Sequence, residues 1–559
     1  MRGLRAWAPL AAALVVAGLV RAGVLLAGVV PFNADEAVVG LMARHILQGE
    51  RPVFFYGQAY MGSLDAWLVA GAFAMLGSSV LAIRLVQTAL YLGTIATTYA
   101  LGLKVYRSVW IAGAAALFLA IPVVLLTVYS TASLGGYGET LLLGNIALWL
   151  AFDLAESPGV DKPALWLAFG FVGGLGLWAF PLIGVYLLPA AGYVLLRQRA
   201  ALAFRDGQPI GWRQIWRGWG LWAAGLAIGA APWWWFTLTS SQATVSEMFG
   251  VAIAGASPAS PLQAALSHFY GFLLLGLTVI AGLRPPWGAN LLALPLAPFD
   301  LAVFAALTLF VLRRVLAAHD PLRLKRFVLI GLMLTLAAVF VVTPFGADPS
   351  GRYFLPLLPM QALLLAEMFY RSREWERHPA LRVLGGARLG AGRALALGVV
   401  IFNWWGNVQS AIAFPPGITT QFAPNTQVDQ RALPELMAFL RAQGETRGYT
   451  NYWVEFPLAF LSHDELLFAA RLPYHLDFQY TPRYDRYLPY AQAVAASPRA
   501  AYITTLHEPL NERLRRGLAE LGVTFQEHQI GDFHVFYALS RKVAPQELGL
   551  GEACCDADH

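Results

Sequence analysis

Two adjacent carboxylates, Asp35 and Glu36, stand in "PFNADEAVVG" (31–40), directly after an apolar run over 7–30. A carboxylate held beside lipid can take the proton from an acceptor hydroxyl, which is the work of a general base. The same pair can simply occupy the first turn of a helix, where unpaired N–H groups and the helix dipole favour negative charge. Arg352, in "SGRYFLPLLP" (350–359), carries the complementary chemistry. Its planar fork matches phosphate oxygens, although an Arg with a following Tyr, here Tyr353, also makes an ordinary interfacial anchor. Arg21 lies inside the first apolar run, where an ionisable side chain marks function unless it snorkels to the surface. Asp65 in "YMGSLDAWL", with Tyr56 and Tyr60 just before it, adds a second acid beside aromatic residues. Tyr137 and Glu139 sit in "STASLGGYGETLLLGN" (130–145), whose glycines permit close backbone approach to a ligand or merely a tight turn. Carboxylates suited to a base and arginines suited to a phosphate are the equipment for attack at a lipid-linked phosphate ester.

The elements that hold these residues are written in the composition. Of 559 residues 58% are hydrophobic and only 13% charged, about half the charge density of a soluble domain. Mean hydropathy is +0.56. Apolar spans fall near 7–30, 82–103, 108–128, 139–155, 164–180, 181–196, 218–238, 298–316, 327–345, 354–370 and 394–412. Blocks of this length cross a hydrocarbon core, so the chain is read as a polytopic α-helical membrane protein. The first run has the basic start of a signal peptide but is too long for one, and is expected to remain as the first helix. Basic residues gather at the N-terminus and in 197–217, 313–326 and 371–393. That clustering in short connections explains the net charge of +6 without nucleic acid and places those segments in the cytoplasm. About eleven crossings satisfy this asymmetry if the apolar segment 264–283 lies along the outer surface. Asp35, Glu36 and everything after residue 412 then face outward across the plasma (inner) membrane, with the N-terminus inside.

The outer loop 31–81 contains "ADEAVVGLMARHILQG", in which Val38, Leu41, Met42 and Ile46 recur at helical spacing. It is expected to lie along the membrane as a juxtamembrane helix with Asp35 and Glu36 in its first turn. Residues 1–412 thus form a membrane module and 413–427 a linker. Residues 428–545 follow as an outer α/β domain, and 546–559 as a flexible tail holding the only cysteines, Cys554 and Cys555. Adjacent cysteines are poorly placed for a bridge. In the α/β domain "ALPELMAFLRAQG" and "LNERLRRGLAELG" read as helices, "AAYITTL" as a buried strand, and "VTFQEHQIGDFHVFYAL" as two strands about Gly531-Asp532. It has no Gly-rich phosphate loop or metal-ligand spacing, and is expected to be an accessory cap. No cofactor is indicated, and a divalent metal is left open.

The chain resembles the GT-C superfamily of integral-membrane glycosyltransferases, above all bacterial family 39 enzymes related to protein O-mannosyltransferases and lipid A aminoarabinose transferases. The resemblance rests on "NADEA" after the first span, the juxtamembrane segments, "AIRL" (82–85) and "GRYFLPLLP", and covers most of 1–412. It implies a polyprenyl-phosphate sugar donor and inverting transfer. It further implies Asp35 as general base with Glu36 in support, and Arg352 as the phosphate contact with Arg84 or Arg21 assisting. Tyr56, Tyr60, Asp65, Tyr137, Glu139 and Tyr353 are the expected substrate contacts. Where aminoarabinose transferases carry Glu-Lys-Pro, this chain reads "GQAYMGSLDA" and has no lysine, so its phosphate contacts must differ. A transporter or lipid flippase is the alternative, which predicts internal repeats and polar residues near the membrane midplane. A receptor anchored by its helices is the third reading, and this many helices exceed what an anchor needs.

Overall fold

The apolar blocks become helices because a chain in lipid must satisfy its own backbone N–H and C=O groups. The computed structural model describes residues 2–156, 162–203, 212–239, 260–317, 320, 322–348, 350–376, 391–413, 417–419, 421, 426–476, 478 and 480–550. Among the described residues, seven helices are long and apolar enough to cross a membrane. They are Ala6–Leu26, Val80–Tyr106, Tyr137–Glu156, Pro261–Ile280, Leu294–Leu316, Arg323–Val342 and Gly392–Ile412. The segment expected along the outer surface, 264–283, overlaps Pro261–Ile280, which is itself long and apolar enough to cross. The span expected over 108–128 is broken, Val109–Ala120 ending before Pro122 and Val124–Tyr129 restarting after it. Proline has no N–H to continue the ladder, which accounts for the break. The cysteines and most of the tail lie outside the described residues.

Four early elements position the acid pair. Helix α1 (Arg2–Leu26) leads to α2 (Ala34–Leu47), then to an antiparallel hairpin of β1 (Phe54–Phe55) and β2 (Gln58–Gly62). Gly57 turns that hairpin at φ 69°, a left-handed backbone that glycine adopts without strain. Helix α3 (Leu64–Leu76) and helix α4 (Val80–Tyr106) follow, α4 capped by the Ser79 hydroxyl accepting from the Ala82 N–H. The α2 helix forms where its spacing predicts, and its middle has no exposed face. Glu36 and every residue from Ala37 to Ile46 are buried, because α3 and the α/β-domain helix Tyr452–Leu461 cover it. Arg44 ties the two together, donating to Phe460 O at 2.7 Å with its guanidinium 4.0 Å from the Phe460 ring centroid.

The C-terminal α/β domain contains a five-stranded sheet in the order β4-β3-β5-β7-β6. Strand β3 (Arg447–Thr450) pairs in parallel with β4 (Leu467–Ala470) and β5 (Ala501–Thr505). The hairpin of β6 (Gln526–Ile530) and β7 (Phe533–Tyr537) adds antiparallel pairs on the β5 side. Its turn at Gly531 and Asp532, and the helices Leu433–Gln443 and Glu508–Glu520, fall where the sequence periodicity puts them. Leu436, Leu440, Phe468, Ile503 and Val535 form a separate core beneath the sheet.

Candidate active site

At the start of α2 the capping task falls to Asn33, not to either acid. The Asn33 Oδ1 accepts from the Asp35 N–H at 2.7 Å while Asn33 keeps an extended backbone. Both carboxylates are thereby left for other partners. The Asp35 Oδ1 accepts from the Tyr452 hydroxyl and lies 3.0 Å from Arg486 Nη1. Its side chain keeps 27% of its surface exposed, so a substrate proton can reach it. Glu36 faces the other way and is fully buried in a two-pronged pair with Arg84, whose Nε and Nη2 donate at 2.9 and 3.0 Å. A bidentate pair of this kind fixes both side chains as one rigid unit.

The three arginines expected at a phosphate are used differently. Arg84 is engaged by Glu36 and also donates to Pro31 O at 3.3 Å, which pins the start of the segment 31–81 to α4. Arg21 is buried at 3% exposure, donating to Thr127 O at 3.2 Å and Ser130 Oγ at 2.5 Å, with the Tyr91 ring 4.8 Å away. These contacts bind α1 to the segment after the Pro122 break. Arg84 is held by Glu36, and Arg21 likewise joins scaffold segments, although its buried Nε has no hydrogen-bond partner. Arg352 is the more accessible cation, its side chain keeping 32% of its surface exposed. Its Nη2 meets Asp348 Oδ2 at 2.5 Å and Tyr353 OH at 3.3 Å, whereas its buried Nε has no partner. Burial works against the Arg352 charge, but Asp348 and the surrounding tyrosines outweigh it and hold the guanidinium well above its usual range. Arg352 is a permanent cation with a free N–H.

Tyr60, Tyr137 and Tyr353 gather at this cation through shared aromatic neighbours. Tyr60 lies 6.2 Å from Phe180 and 6.5 Å from Phe345 between ring centroids. Tyr137 packs edge-on to the same Phe180 at 5.0 Å, and Tyr353 to Phe345 at 5.0 Å. Burial raises the Tyr60 hydroxyl's pKa, and Arg352 and Arg486 pull against it while Asp35 and Asp348 add to it. The two arginines and the Asp35 carboxylate thus lie within electrostatic reach of the Tyr60 hydroxyl. Below it an apolar groove of about 290 Å³ runs between the segment 177–188 and the helix Arg323–Val342. Leu177, Val185, Leu188, Leu336 and Val339 line the groove, with Tyr60 and Tyr353 at the polar end.

Asp65 and Glu139 do not reach this opening. Asp65 is 2% exposed, its Oδ1 accepting from Gln87 Nε2 at 2.9 Å and its Oδ2 from the Ser133 hydroxyl. Asp65, on α3, thereby ties α4 to the loop that carries Ser133, and Glu139 is buried nearby with neither carboxylate oxygen hydrogen-bonded. Tyr56 also lies apart: it donates to Glu50 Oε2 at 2.6 Å and stacks on Tyr487 at 4.8 Å. Tyr487 donates to the other Glu50 oxygen at 2.7 Å, making this a docking contact between the segment 31–81 and the α/β domain.

Two residues at the centre were not anticipated from the sequence, Tyr452 and Arg486, and both belong to the domain expected to be a mere cap. Tyr452 opens a helix whose N-cap is Asn451, accepting from the Trp453 N–H at 3.0 Å. Arg486 lies in "TPRYDRYLPY" (481–490), whose Arg-Tyr repetition was the one available signal. Burial opposes the Arg486 charge, and Tyr452 and Asp35 outweigh it, raising its pKa.

No family model matches the chain, and no curated protein does either. Solved structures do. ArnT from Cupriavidus metallidurans bound to undecaprenyl phosphate superposes with TM-score 0.57 and 14% identity, over 94% of this chain and 97% of that one. The apo form of the same ArnT gives TM-score 0.55 and 14% identity over 90% and 92%. This chain has the GT-C fold. The archaeal oligosaccharyltransferase AglB from Archaeoglobus fulgidus, with an inhibitory peptide and a dolichol-phosphate, aligns at TM-score 0.47 and 14% identity, over 97% of this chain and 74% of that one. The ArnT superposition spans both the membrane module and the C-terminal α/β domain, which are parts of one known architecture. At this identity the likeness extends to the fold and leaves the site to be argued from its own residues.

Proposed function

We propose that this protein is a membrane glycosyltransferase that moves a sugar from a polyprenyl-phosphate donor to a hydroxyl on an extracytoplasmic acceptor. The observation that carries the reading is one juxtaposition. A part-exposed carboxylate, Asp35, and a cation with a free N–H, Arg352, both act electrostatically on Tyr60, which lines the end of an apolar groove. An isoprenoid chain fits the groove by its apolar lining, and its phosphate would then sit at Arg352. The ArnT structure holding undecaprenyl phosphate makes this class of carrier the natural probe.

In the proposed reaction Asp35 accepts the proton of the acceptor hydroxyl as its oxygen bonds to the anomeric carbon from the face opposite the phosphate. The bond from that carbon to the phosphate oxygen breaks, and its electron pair leaves with the polyprenyl phosphate. Configuration inverts. Arg352 stabilises the charge that grows on the departing phosphate. Glu36 stays in its pair with Arg84 and holds the first turn of α2 in place. The acceptor is a protein, lipid or glycan hydroxyl. The test is incubation of purified protein in lipid nanodiscs with undecaprenyl phosphate and, as a control, undecaprenol. Binding of the phosphate and not the alcohol supports the reading, and equal or absent binding of both refutes it.

A further inference from the structure

Arg486, like Arg352, is a guanidinium with unmet buried donors, and it comes from the α/β domain. Its side chain is 7% exposed. Neither its Nε nor its Nη1 makes a hydrogen bond, although Nη1 lies 3.0 Å from Asp35 Oδ1, because the approach is off the N–H direction. A buried guanidinium with unmet donors is costly unless something else meets them. Its plane is held by rings on two sides: the guanidinium carbon is 5.1 Å from the Phe55 centroid and 4.6 Å from that of Tyr452. The side chain also crosses the turn of the β1–β2 hairpin, where a Cβ at Gly57 would stand 2.9 Å from Arg486 Cγ. That hairpin is the bridge to the other arginine. Its Phe55 end touches Arg486, while its Tyr60 end reaches Phe345, which packs on Tyr353, whose ring lies 5.0 Å from the Arg352 guanidinium.

We infer that Arg486, supplied by the α/β domain, is the second cation of the donor phosphate site, closing on the phosphate opposite Arg352. The inference rests on the donor reading above and adds to it a residue from outside the membrane module. A guanidinium has several N–H donors in a fixed fork, so Nη1 can keep its place beside Asp35 while Nε turns to a phosphate oxygen. The arrangement solves the problem left by the missing lysine in the outer loop: the charge comes from a different domain. It also has a consequence for order. With Arg486 beside Asp35, the base is shared with a cation until the phosphate arrives and offers that cation a second anion.

Binding of undecaprenyl phosphate is measured for the full chain in nanodiscs, with undecaprenol as control. Arg486→Gln, which keeps length and polarity but not charge, is expected to weaken undecaprenyl phosphate binding about 10- to 100-fold, the effect of losing a hydrogen bond to a charged group. Arg486→Lys restores most of the loss, and Arg515→Ala, a charge lost on the domain's outer surface, leaves affinity unchanged. Affinity of Arg486→Gln within about twofold of wild type overturns the inference while wild-type selectivity for the phosphate leaves the donor reading standing. Wild type that does not prefer the phosphate overturns both. If Arg486→Gln does not fold, hydrogen exchange on the wild type decides: undecaprenyl phosphate should protect residues 480–490 and undecaprenol should not, and equal exchange overturns the inference.

Discussion

Replacing Asp35 with Asn separates base catalysis from scaffolding, because the two side chains have nearly the same shape. Asn can still accept from the Tyr452 hydroxyl, and the Asn33 cap on the residue-35 N–H is untouched. What disappears is the ability to take a proton and the charge facing Arg486. Loss of a positioned general base typically costs about 10²- to 10⁴-fold, equal to about 3–5 kcal/mol of barrier at about 1.4 kcal/mol per decade. Tyr452→Phe removes only one hydrogen bond to a charged acceptor, about 1.5–3 kcal/mol, so its effect on turnover should be the smaller of the two. The assay is release of polyprenyl phosphate from a labelled polyprenyl-phosphate sugar, with a cell-envelope fraction as the acceptor pool and donor affinity measured in parallel. Asp35→Asn should lose turnover and keep donor affinity within a few-fold. Near-normal turnover would falsify the assignment of Asp35 as base. A loss confined to donor affinity would move Asp35 from proton transfer to phosphate handling.

Three further outcomes are expected. Arg84→Gln leaves Glu36 buried without its cation, which costs about 3–5 kcal/mol and should appear as a lower melting temperature of the detergent-solubilised protein; an unchanged melting temperature would show that the pair is not structural. Gly184 lines the groove and has open space where a Cβ would point, so Gly184→Trp should fill it, weakening undecaprenyl phosphate binding about tenfold or more while leaving a short-chain water-soluble analogue unaffected. Glu455, fully buried in the α/β domain, has its pKa raised well above the usual carboxylate range by burial and by Asp485. A carboxyl whose folded pKa lies above its unfolded one binds more protons when folded, so stability falls as pH rises from the ordinary carboxylate range through the folded value. Glu455→Gln should therefore raise the domain's melting temperature at neutral pH by a few degrees and flatten its decline with rising pH, and calorimetry of the full chain across pH 5–8 checks both.

Legibility differed by element for physical reasons. Periodicity and turn chemistry in the α/β domain are local, so the Gly531-Asp532 hairpin and the helix ended by Gly444 fall where expected. The α2 helix also follows from its spacing, but its surroundings do not. Its Val38, Leu41, Met42 and Ile46 stripe looks the same whether lipid or protein covers it, and here the covering helix lies more than four hundred residues away in sequence.

Composition alone determined that this chain lives in a membrane, since blocks this apolar and this long have no other comfortable solvent. Local residue type likewise marked Asp35 and Arg352, because an acid at the lipid edge and an arginine before a late span are unusual wherever they occur. Tertiary structure decided what each charged group does. It paired Glu36 with Arg84, committed Arg21 to the Thr127 and Ser130 segment, and left free N–H groups on Arg352 and Arg486. A charge is satisfied by whatever the fold brings within a few ångströms, and Tyr452 and Arg486 reach Asp35 only because the α/β domain docks on α2.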